Sequence, residues 1–297
     1  MKNRLTNFGF WLGWTVLWRM PEPLIRKIFR IIADTSCLLN TRGVRQLSLN
    51  LRRVIGTDVA NEELRKIVKA GMRNYLRYYC ETFIVNRWSR SKIQSLVRVE
   101  NAENAISASK NGGIILALPH SGNWDLAGAW ATGTMSQIST VAERLKPESV
   151  FQKFLKMRRD LGFDVVALTG VTGVYEFLRD SVRKGNTVPL LSDRDVAKNG
   201  MGIDFFGVRA SLPIGAALLA LDTGRPIFTC STWYDDKTLV ITFDDEPIFV
   251  KSDETGRERL KVAQKTTSEI IQRLENHIKA HPQDWHMLQP VWKDLIA

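Results

Sequence analysis

The sequence predicts an α/β protein of one domain, with a helical segment preceding a core that contains a sheet. Three observations support this class. The apolar run 113–118 is rich in β-branched residues and lies between glycine and proline, as expected for a buried parallel strand. From about residue 97, short apolar segments alternate with segments of helical periodicity. Before that point the apolar residues repeat at helical spacing. We therefore divide residues 1–297 into a helical cap, 1–95, and an α/β core, 96–297.

Residues 3–36 predict two helices separated at Pro21-Glu22-Pro23. The second helix runs from Pro23 to about Leu39 and is amphipathic, with four apolar residues on one face and a basic group mostly on another: Leu24, Ile28, Ile31 and Ile32, against Arg26, Lys27 and Arg30. That pattern is typical of a helix that lies on a membrane, or of one that packs on its own domain with a solvated basic face. The apolar run 8–18 is too short to cross a bilayer, which takes about 20 residues. Its tryptophans suit a bilayer interface: Trp11, Trp14 and Trp18.

The remaining elements follow from periodicity and turn residues. Two more helices are predicted in the cap, at 43–55 and 61–87. In the core we predict strands at 97–100, 113–118, 138–141, 164–168, 187–192, 226–233, 238–243 and 247–250. Between them we predict helices at 102–110, 124–132, 148–161, 172–184 and 211–223, with a closing helix at 254–280. The predicted architecture is a mixed sheet flanked by helices.

Positive charge is concentrated in the first third of the chain. Residues 1–110 contain 20 Lys and Arg but only 8 Asp and Glu, a net charge of +12, within a total of +11 for the whole chain. This asymmetry predicts a surface that faces a polyanion such as lipid headgroups, nucleic acid or an acidic partner. A set of solvated helix faces is the simpler alternative. A basic nucleic-acid or membrane-binding protein without catalysis is a further one.

Cysteine and histidine patterns restrict the chemistry. Three widely spaced cysteines form neither a disulfide framework nor a zinc pattern, and they fit a reducing cytosol: Cys37, Cys80 and Cys230. His277 and His281 are spaced as metal ligands on a helix could be, but no glutamate follows the first and no third ligand is evident. We therefore predict no bound metal.

The strongest candidate for chemistry is the turn after the strand 113–118. His120 lies at the carboxyl end of that strand, where open α/β sheets bind ligands. Asp125 follows five residues later, and a carboxylate on one imidazole nitrogen would leave the other free to take a proton. Ser121 lacks the strand-turn-helix setting of a nucleophile, so a substrate hydroxyl is the better partner. The alternatives are a structural histidine with Asp125 as a helix cap, and a metal-dependent hydrolase that uses His120 and Asp125 as ligands.

Other ionisable residues follow two further predicted strands. Glu143 follows the strand 138–141, and Asp193 follows the strand 187–192. If these strands are neighbours, their carboxyl ends bring both carboxylates towards His120. We expect Glu143 and Asp193 to orient a substrate hydroxyl or to tune the histidine.

Four segments resemble the bacterial family of lipid A and phosphatidylinositol mannoside acyltransferases. The first is Pro119-His120-Ser121-Gly122-Asn123-Trp124-Asp125, which contains the His-x4-Asp pattern of glycerolipid acyltransferases. The other three are Val141-Ala142-Glu143-Arg144-Leu145-Lys146-Pro147-Glu148-Ser149, Asp204-Phe205-Phe206-Gly207 and Asp284-Trp285-His286-Met287-Leu288-Gln289-Pro290. The likeness extends from about Trp14 to Trp292 and is greatest to the phosphatidylinositol mannoside acyltransferases. His-x4-Asp alone is a weak motif, whereas the four segments in this order are specific.

The resemblance implies a membrane-associated O-acyltransferase with a glycerolipid-acyltransferase-like fold. It implies acyl-CoA as co-substrate, palmitoyl-CoA in particular, and a mannose hydroxyl of a phosphatidylinositol mannoside as acceptor. It places His120, Asp125 and Glu143 in the active site, with Asp193 where relatives have a glutamate. It places three residues near acyl-CoA: Arg158, Asn199 and Asp222. Arg158 also suits a phosphate chemically, because a guanidinium can donate charge-assisted hydrogen bonds to phosphate oxygens.

The same resemblance implies where the protein works and what it binds. We expect a peripheral protein on the cytoplasmic face of the cell membrane, without a transmembrane span. Its partners would be acyl-CoA, a membrane glycolipid and an anionic membrane surface, with no nucleic acid and no permanently bound cofactor. The nearest alternative is the same chemistry on another glycolipid or on a lysophospholipid.

Overall fold

The core is a mixed sheet of five strands, seen in a computed structural model that describes residues 19–297. Strands are numbered in chain order, and the sheet order is β1-β9-β8-β2-β5. The strands are β1 (Val97–Glu100), β2 (Ile114–Leu118), β5 (Thr187–Leu191), β8 (Ile227–Asp235) and β9 (Thr238–Phe243). β2 lies between β5 and β8 and runs parallel to both, and β1 runs parallel to β9. β8 and β9 form an antiparallel pair. The predicted mixed sheet flanked by helices is confirmed.

A parallel pair continues the sheet beyond β5. β3 (Ser139–Ala142) and β4 (Asp164–Ala167) pair with each other. Ile138 forms a parallel bridge to Thr187 at the start of β5, and the Thr140 hydroxyl donates to the Pro189 carbonyl at 2.8 Å. The ends of β2, β5 and β3 therefore meet along one edge, as the sequence predicted.

Helices cover both faces of the sheet because β2 is apolar on both sides. Ile115 and Ala117 face one apolar cluster, whereas Ile114, Leu116 and Leu118 face another. The helices are α1 (Glu22–Leu38), α2 (Arg42–Ile55), α3 (Asn61–Ile84), α4 (Arg90–Ser95), α5 (Glu103–Lys110), α6 (Trp124–Ala131), α7 (Glu148–Asp160), α8 (Val174–Arg183), α9 (Gly215–Thr223) and α10 (Gly256–Ala280). Two short 3₁₀ turns are Val85–Arg87 and Pro282–Asp284.

Two predictions of secondary structure were wrong. The helix predicted from residue 211 begins only at Gly215, because residues before it form an antiparallel hairpin of β6 (Met201–Phe205) and β7 (Val208–Leu212). Buried and exposed residues alternate along β7, which is the strand pattern. The strand predicted at 247–250 is reduced to one bridge between Ile248 and Ile227.

Helix α1 packs on the protein with a different apolar stripe from the one noted in the sequence. It buries Ile25, Phe29 and Ala33 against α3, while Leu24, Ile31, Ile32, Leu38 and Leu39 are exposed. Arg26 points inward, donating to Glu22 and to buried Glu81. The tryptophans at 11, 14 and 18 lie outside the described residues. Within 19–297, no helix is both long enough and apolar enough to cross a membrane.

The segment after α10 returns to the centre of the protein. Trp285 and Met287 are fully buried, and His286 is nearly so. Asn50 on α2 donates to the carbonyls of Met287 and Gln289, at 2.8 and 2.9 Å. The cap and the C-terminal segment are thus joined next to the carboxyl end of β2.

Candidate active site

The turn after β2 is fixed on both sides by backbone contacts. Gly122 has φ +52°, and a Cβ there would lie 2.6 Å from the Thr232 carbonyl oxygen, so a side chain does not fit. The Gly122 N–H donates to the Asp284 carbonyl at 2.9 Å, and the His286 N–H donates to the His120 carbonyl at 2.7 Å. Because the Gly122 N–H is already engaged, it is not free to bind an oxyanion.

His120 is held by Asp193 from the end of β5. The His120 ring Nδ1 lies 2.6 Å from Asp193 Oδ1, and the His120 backbone N–H donates to Asp193 Oδ2 at 2.9 Å. A carboxylate only accepts, so Nδ1 carries the proton and Nε2 keeps its lone pair. Although the Asp193 side chain is short, it reaches the ring because β2 and β5 are adjacent.

Trp285 is the third donor to the same carboxylate. Its indole N–H donates to Asp193 Oδ2 at 2.8 Å. Burial raises the pKa of Asp193, but the His120 ring and these N–H donors outweigh it and hold the pKa below its usual value. Asp193 therefore remains a carboxylate, which fixes the His120 tautomer and would stabilise an imidazolium.

The predicted pairing of His120 with Asp125 is wrong. Asp125 is buried and accepts from Arg158 Nε at 2.7 Å and from the Tyr78 hydroxyl at 3.0 Å. The first turn of α6 directs Asp125 towards α3 and α7, whereas the histidine turns towards β5. The short separation of His120 and Asp125 in sequence does not indicate that their side chains point in different directions.

Arg158, which the resemblance places near acyl-CoA, pairs with Asp125 at 2.7 Å. Burial lowers the pKa of its guanidinium, but Asp125 outweighs it and raises the pKa above its ordinary value. The Arg158 charge is therefore neutralised by Asp125 inside the protein, and removing either partner would leave the other charge buried and unpaired. Arg158 still lines the cavity described below.

A buried carboxylate on α3 supports the start of α6. Glu81 accepts from Arg26, Arg77, Asn123 and Tyr234, at 2.7 to 3.0 Å. The Asn123 side chain also accepts from the Leu126 N–H at 2.9 Å, which caps α6. This network holds the far end of the turn that contains His120.

Glu143 lies at the same edge of the sheet but does not contact His120. Its carboxylate accepts from the two Nη atoms of Arg194, at 3.1 and 3.3 Å. Both residues line the cavity with His120. The structure thus brings His120, Asp193 and Glu143 to one edge, where Arg194, the residue after Asp193, binds Glu143.

The cavity in front of His120 has a volume of about 620 Å³. Aromatic and polar groups line the part near His120: Tyr75, Tyr79, Trp124, Glu143, Arg194, His286 and Gln289. A second part is apolar and lies between α6 and the sheet, with walls from Leu116, Leu118, Gly128, Ala131, Met135, Ile138 and Phe163. A site of this kind accommodates a long apolar group that ends in a polar one.

The other two residues expected near acyl-CoA differ in position. Asn199 is exposed and lines the cavity, and its N–H donates to Asp195 at 3.2 Å. Asp222 on α9 is not among the cavity-lining residues. It accepts from Tyr175, which does line the cavity, and from Arg259 on α10. Asp222 therefore reaches the cavity only through Tyr175.

Sequence reasoning missed how the C-terminal segment takes part. Trp285 and His286 were quoted only as part of a family-like segment, yet one binds Asp193 and the other binds the His120 turn. The adjacent tryptophan and histidine in this segment were a sign that it has a functional role. No local sequence pattern, however, indicates which residues they contact. Among residues 19–297, no group of three His, Cys, Asp or Glu residues is arranged to hold a metal ion.

Comparisons with known proteins give consistent matches over most of the chain. Residues 2–294 match the family described as bacterial lipid A biosynthesis acyltransferase. A phosphatidylinositol mannoside acyltransferase of Mycolicibacterium smegmatis is 33% identical over 295 residues, covering 98% of this chain and 92% of the relative. A protein of the same name from Mycobacterium tuberculosis is 34% identical over 293 residues, covering 97% and 88%.

The buried Asp284 beside the turn predicts an unusual pH dependence of stability. Burial raises the pKa of its carboxyl to about 7, although hydrogen bonds from the Tyr234 N–H, Asn74 and Gln283 act in the opposite direction. A raised pKa means that the neutral form stabilises the fold fully below about pH 4, and that this contribution is lost as pH rises to 7. Asp284→Asn stays neutral, so its unfolding free energy should gain on the wild type by about 1.4 kcal/mol per pH unit between pH 4 and 7.

Urea unfolding of both proteins at several pH values measures this difference. Asp58→Asn, at an exposed position on a loop, is the matched control and should follow the wild type. A constant difference between Asp284→Asn and the wild type across this range would show that Asp284 is ionised in the fold.

Proposed function

Because this chain belongs to the bacterial lipid A biosynthesis acyltransferase family, we propose that it transfers a palmitoyl group from acyl-CoA to a mannose hydroxyl of a phosphatidylinositol mannoside. The names of the relatives support a phosphatidylinositol mannoside as acceptor. The observation that carries the proposal is the His120–Asp193 pair, which stands at a cavity with both a polar and an apolar part. The same chemistry on another glycolipid or on a lysophospholipid is the nearest alternative.

His120 acts as the general base in this proposal. Nε2 takes the proton of the acceptor hydroxyl as its oxygen attacks the thioester carbonyl carbon. Asp193 stabilises the imidazolium that forms, and Trp285 keeps Asp193 in place. The tetrahedral intermediate then expels the CoA thiolate, which takes the proton from His120. Glu143, held by Arg194, is placed to orient the sugar, while Asp125 supports the site through Arg158 and Tyr78.

Direct attack is favoured because the nearby nucleophiles are poorly placed. Ser121 is buried, and its hydroxyl accepts from the Thr232 N–H at 3.3 Å. Cys230 lines the cavity, but burial raises the pKa of its thiol to about 12, so little thiolate forms. A metal-dependent hydrolase that uses His120 and Asp125 has weaker support, since Asp125 is paired with the buried Arg158 guanidinium.

The apolar part of the cavity is the proposed site of the acyl chain. It starts next to His120 and follows α6, which rises about 10 Å from Trp124 to Ala131. Met135 and Ile138 continue the wall beyond the helix. A chain in this position would present its thioester to the histidine while its tail stays out of water.

Helix α1 is the proposed membrane contact. Its exposed Leu24, Ile31 and Leu38 provide apolar area, and the exposed Lys27 and Arg30 provide positive charge. Two such signals together give stable attachment to a membrane surface. We place the protein peripherally at the cytoplasmic face of the cell membrane, where the glycolipid is reached without leaving the bilayer.

The first prediction from the proposed function separates the two carboxylates near the turn, Asp193 and Asp125. His120→Ala and Asp193→Asn should each lower kcat by about 10²–10⁴, because the base is lost or left in the wrong tautomer. Asp125→Asn should instead lower the unfolding free energy by about 3–5 kcal/mol, since buried Arg158 loses its partner. Steady-state kinetics with palmitoyl-CoA and urea unfolding measure both effects. Near-normal turnover of Asp193→Asn would contradict the proposed dyad.

The second prediction tests the acyl site. Ala131→Leu adds volume to the apolar wall, so kcat/KM for palmitoyl-CoA should fall about 10- to 100-fold relative to decanoyl-CoA. Ala129 lies on the same helix and is buried without lining the cavity. Ala129→Leu is therefore the control, and it should leave the ratio of the two donors unchanged. An unchanged ratio in Ala131→Leu would place the chain elsewhere.

The third prediction concerns the membrane. Replacing Leu24, Ile31 and Leu38 with Ser, together with Lys27→Gln and Arg30→Gln, should reduce co-sedimentation with anionic vesicles. Binding of the wild type should weaken as salt rises, because exposed charges are screened beyond about 10 Å at 0.1 M. Arg26 is left unchanged, as its charge is paired with Glu81. A control that changes exposed Phe249 and Lys251 should bind normally, and equal loss in both variants would argue against α1.

A further inference from the structure

His286 is fixed in one tautomer by the catalytic turn. Its ring Nε2 lies 2.8 Å from the Gly122 carbonyl oxygen. A carbonyl oxygen only accepts, so Nε2 carries the hydrogen and Nδ1 is left with a lone pair. Burial lowers the pKa of His286 to about 4, so the ring is neutral near pH 7 and Nδ1 is purely an acceptor.

That acceptor has no hydrogen-bond partner among residues 19–297. The residue is 4% exposed, and Nδ1 is one of two buried side-chain polar atoms in this part of the chain without a partner. Buried polar atoms in folded proteins are almost always paired, because an unpaired one keeps its full desolvation cost. An unpaired acceptor beside a site therefore indicates a group that the site receives.

The surroundings of the ring are those of the polar part of the cavity. Its aromatic neighbours are Tyr75 at 5.6 Å and Tyr78 and Trp124 at 6.3 Å between ring centroids. All three line the cavity, as His286 itself does. Trp124 also lies edge-on to the His120 ring at 5.6 Å. The Tyr78 hydroxyl donates to Asp125 and the Tyr75 hydroxyl donates to Tyr79, so neither is directed to Nδ1. The donor that Nδ1 lacks can therefore come from a molecule bound in the cavity.

We propose that His286 Nδ1 accepts a hydrogen bond from a second hydroxyl of the sugar acceptor, next to the hydroxyl that attacks the thioester. This deepens the proposed function and rests on it. The His286 N–H holds the His120 carbonyl, and Nε2 holds Gly122, so the acceptor atom and the base are parts of one rigid unit. A sugar bound to Nδ1 would have its reacting hydroxyl set relative to His120 Nε2. The aromatic rings supply apolar surface for its C–H groups.

Two variants of His286 separate this binding role from a structural one. His286→Gln places an amide N–H near the position of Nε2, so the bond to Gly122 can persist while the Nδ1 acceptor is lost. His286→Asn places its amide oxygen near the position of Nδ1 and loses the donor to Gly122. A purely structural histidine would tolerate Gln and be harmed by Asn.

The experiment measures initial rates of the full chain with palmitoyl-CoA, methyl α-mannoside and the monodeoxy analogues of that mannoside. For the wild type, KM should rise about tenfold for one analogue that lacks a hydroxyl beside the reacting one, the usual effect of one neutral hydrogen bond. His286→Gln should show that tenfold rise with methyl α-mannoside itself and no further rise with the analogue. Its KM for palmitoyl-CoA should be unchanged.

His286→Asn should lose thermal stability and kcat but still discriminate against the same analogue. If His286→Gln keeps the KM of the wild type, or still discriminates among the analogues, the inference is overturned.

A second measurement keeps this inference apart from the proposed function. Protein labelled with ¹⁵N at histidine is titrated with methyl α-mannoside, and the His286 Nδ1 resonance is identified by its loss in His286→Gln. We expect that resonance to shift as the mannoside binds. A shift without acyl transfer would sustain the binding site while refuting the proposed acceptor reaction. The absence of a shift at concentrations that saturate turnover, or the absence of both shift and transfer, would overturn the inference.

Discussion

The arrangement depends on one buried carboxylate, Asp193, at the end of β5. Three donors from two distant parts of the chain meet on it: the His120 ring, the His120 backbone and the Trp285 indole. A fully buried carboxylate without such donors would protonate or destabilise the fold. The contacts that keep Asp193 charged are therefore the same ones that join β2, β5 and the C-terminal segment. The same contacts therefore stabilise this region and form the site.

The sequence was informative where the signal is local. The apolar run 113–118 predicted β2. The ionisable residues that follow three strands predicted the edge of the sheet at which His120, Glu143 and Asp193 lie. It failed where partners are distant in the chain. His-x4-Asp indicated a pair, but the turn after His120 and the first turn of α6 direct Asp125 to Arg158 instead. The correct partner is 73 residues away, and only strand order brings it to His120. The hairpin of β6 and β7 was missed for a different, local reason, since Pro213 also suits the first turn of a helix.

The face of α1 illustrates a different limit. Helical periodicity located the helix correctly but did not say which of two apolar stripes packs inward. Ile25, Phe29 and Ala33 match the surface of α3, and Arg26 finds Glu81 there. Leu24, Ile31 and Ile32 are consequently exposed. A water-soluble helix would gain by exposing polar residues at these positions, so the exposed stripe is better explained by a surface that receives it.

Glu81 connects helix α1, the proposed membrane contact, with the start of α6, next to the turn that contains His120. One of its donors, Arg26, belongs to the helix proposed to meet the membrane, and another, Asn123, caps the helix that begins the site. The carboxylate has four donors, and burial alone would raise its pKa, yet the Arg77 and Arg26 charges hold the pKa below its usual value. A charged, fully satisfied group of this kind has little freedom to move without losing several contacts at once. Glu81 thus contacts both α1 and the residue that caps α6 next to the His120 turn. If α1 lies on a membrane as proposed, these contacts would fix the orientation of the cavity relative to the bilayer.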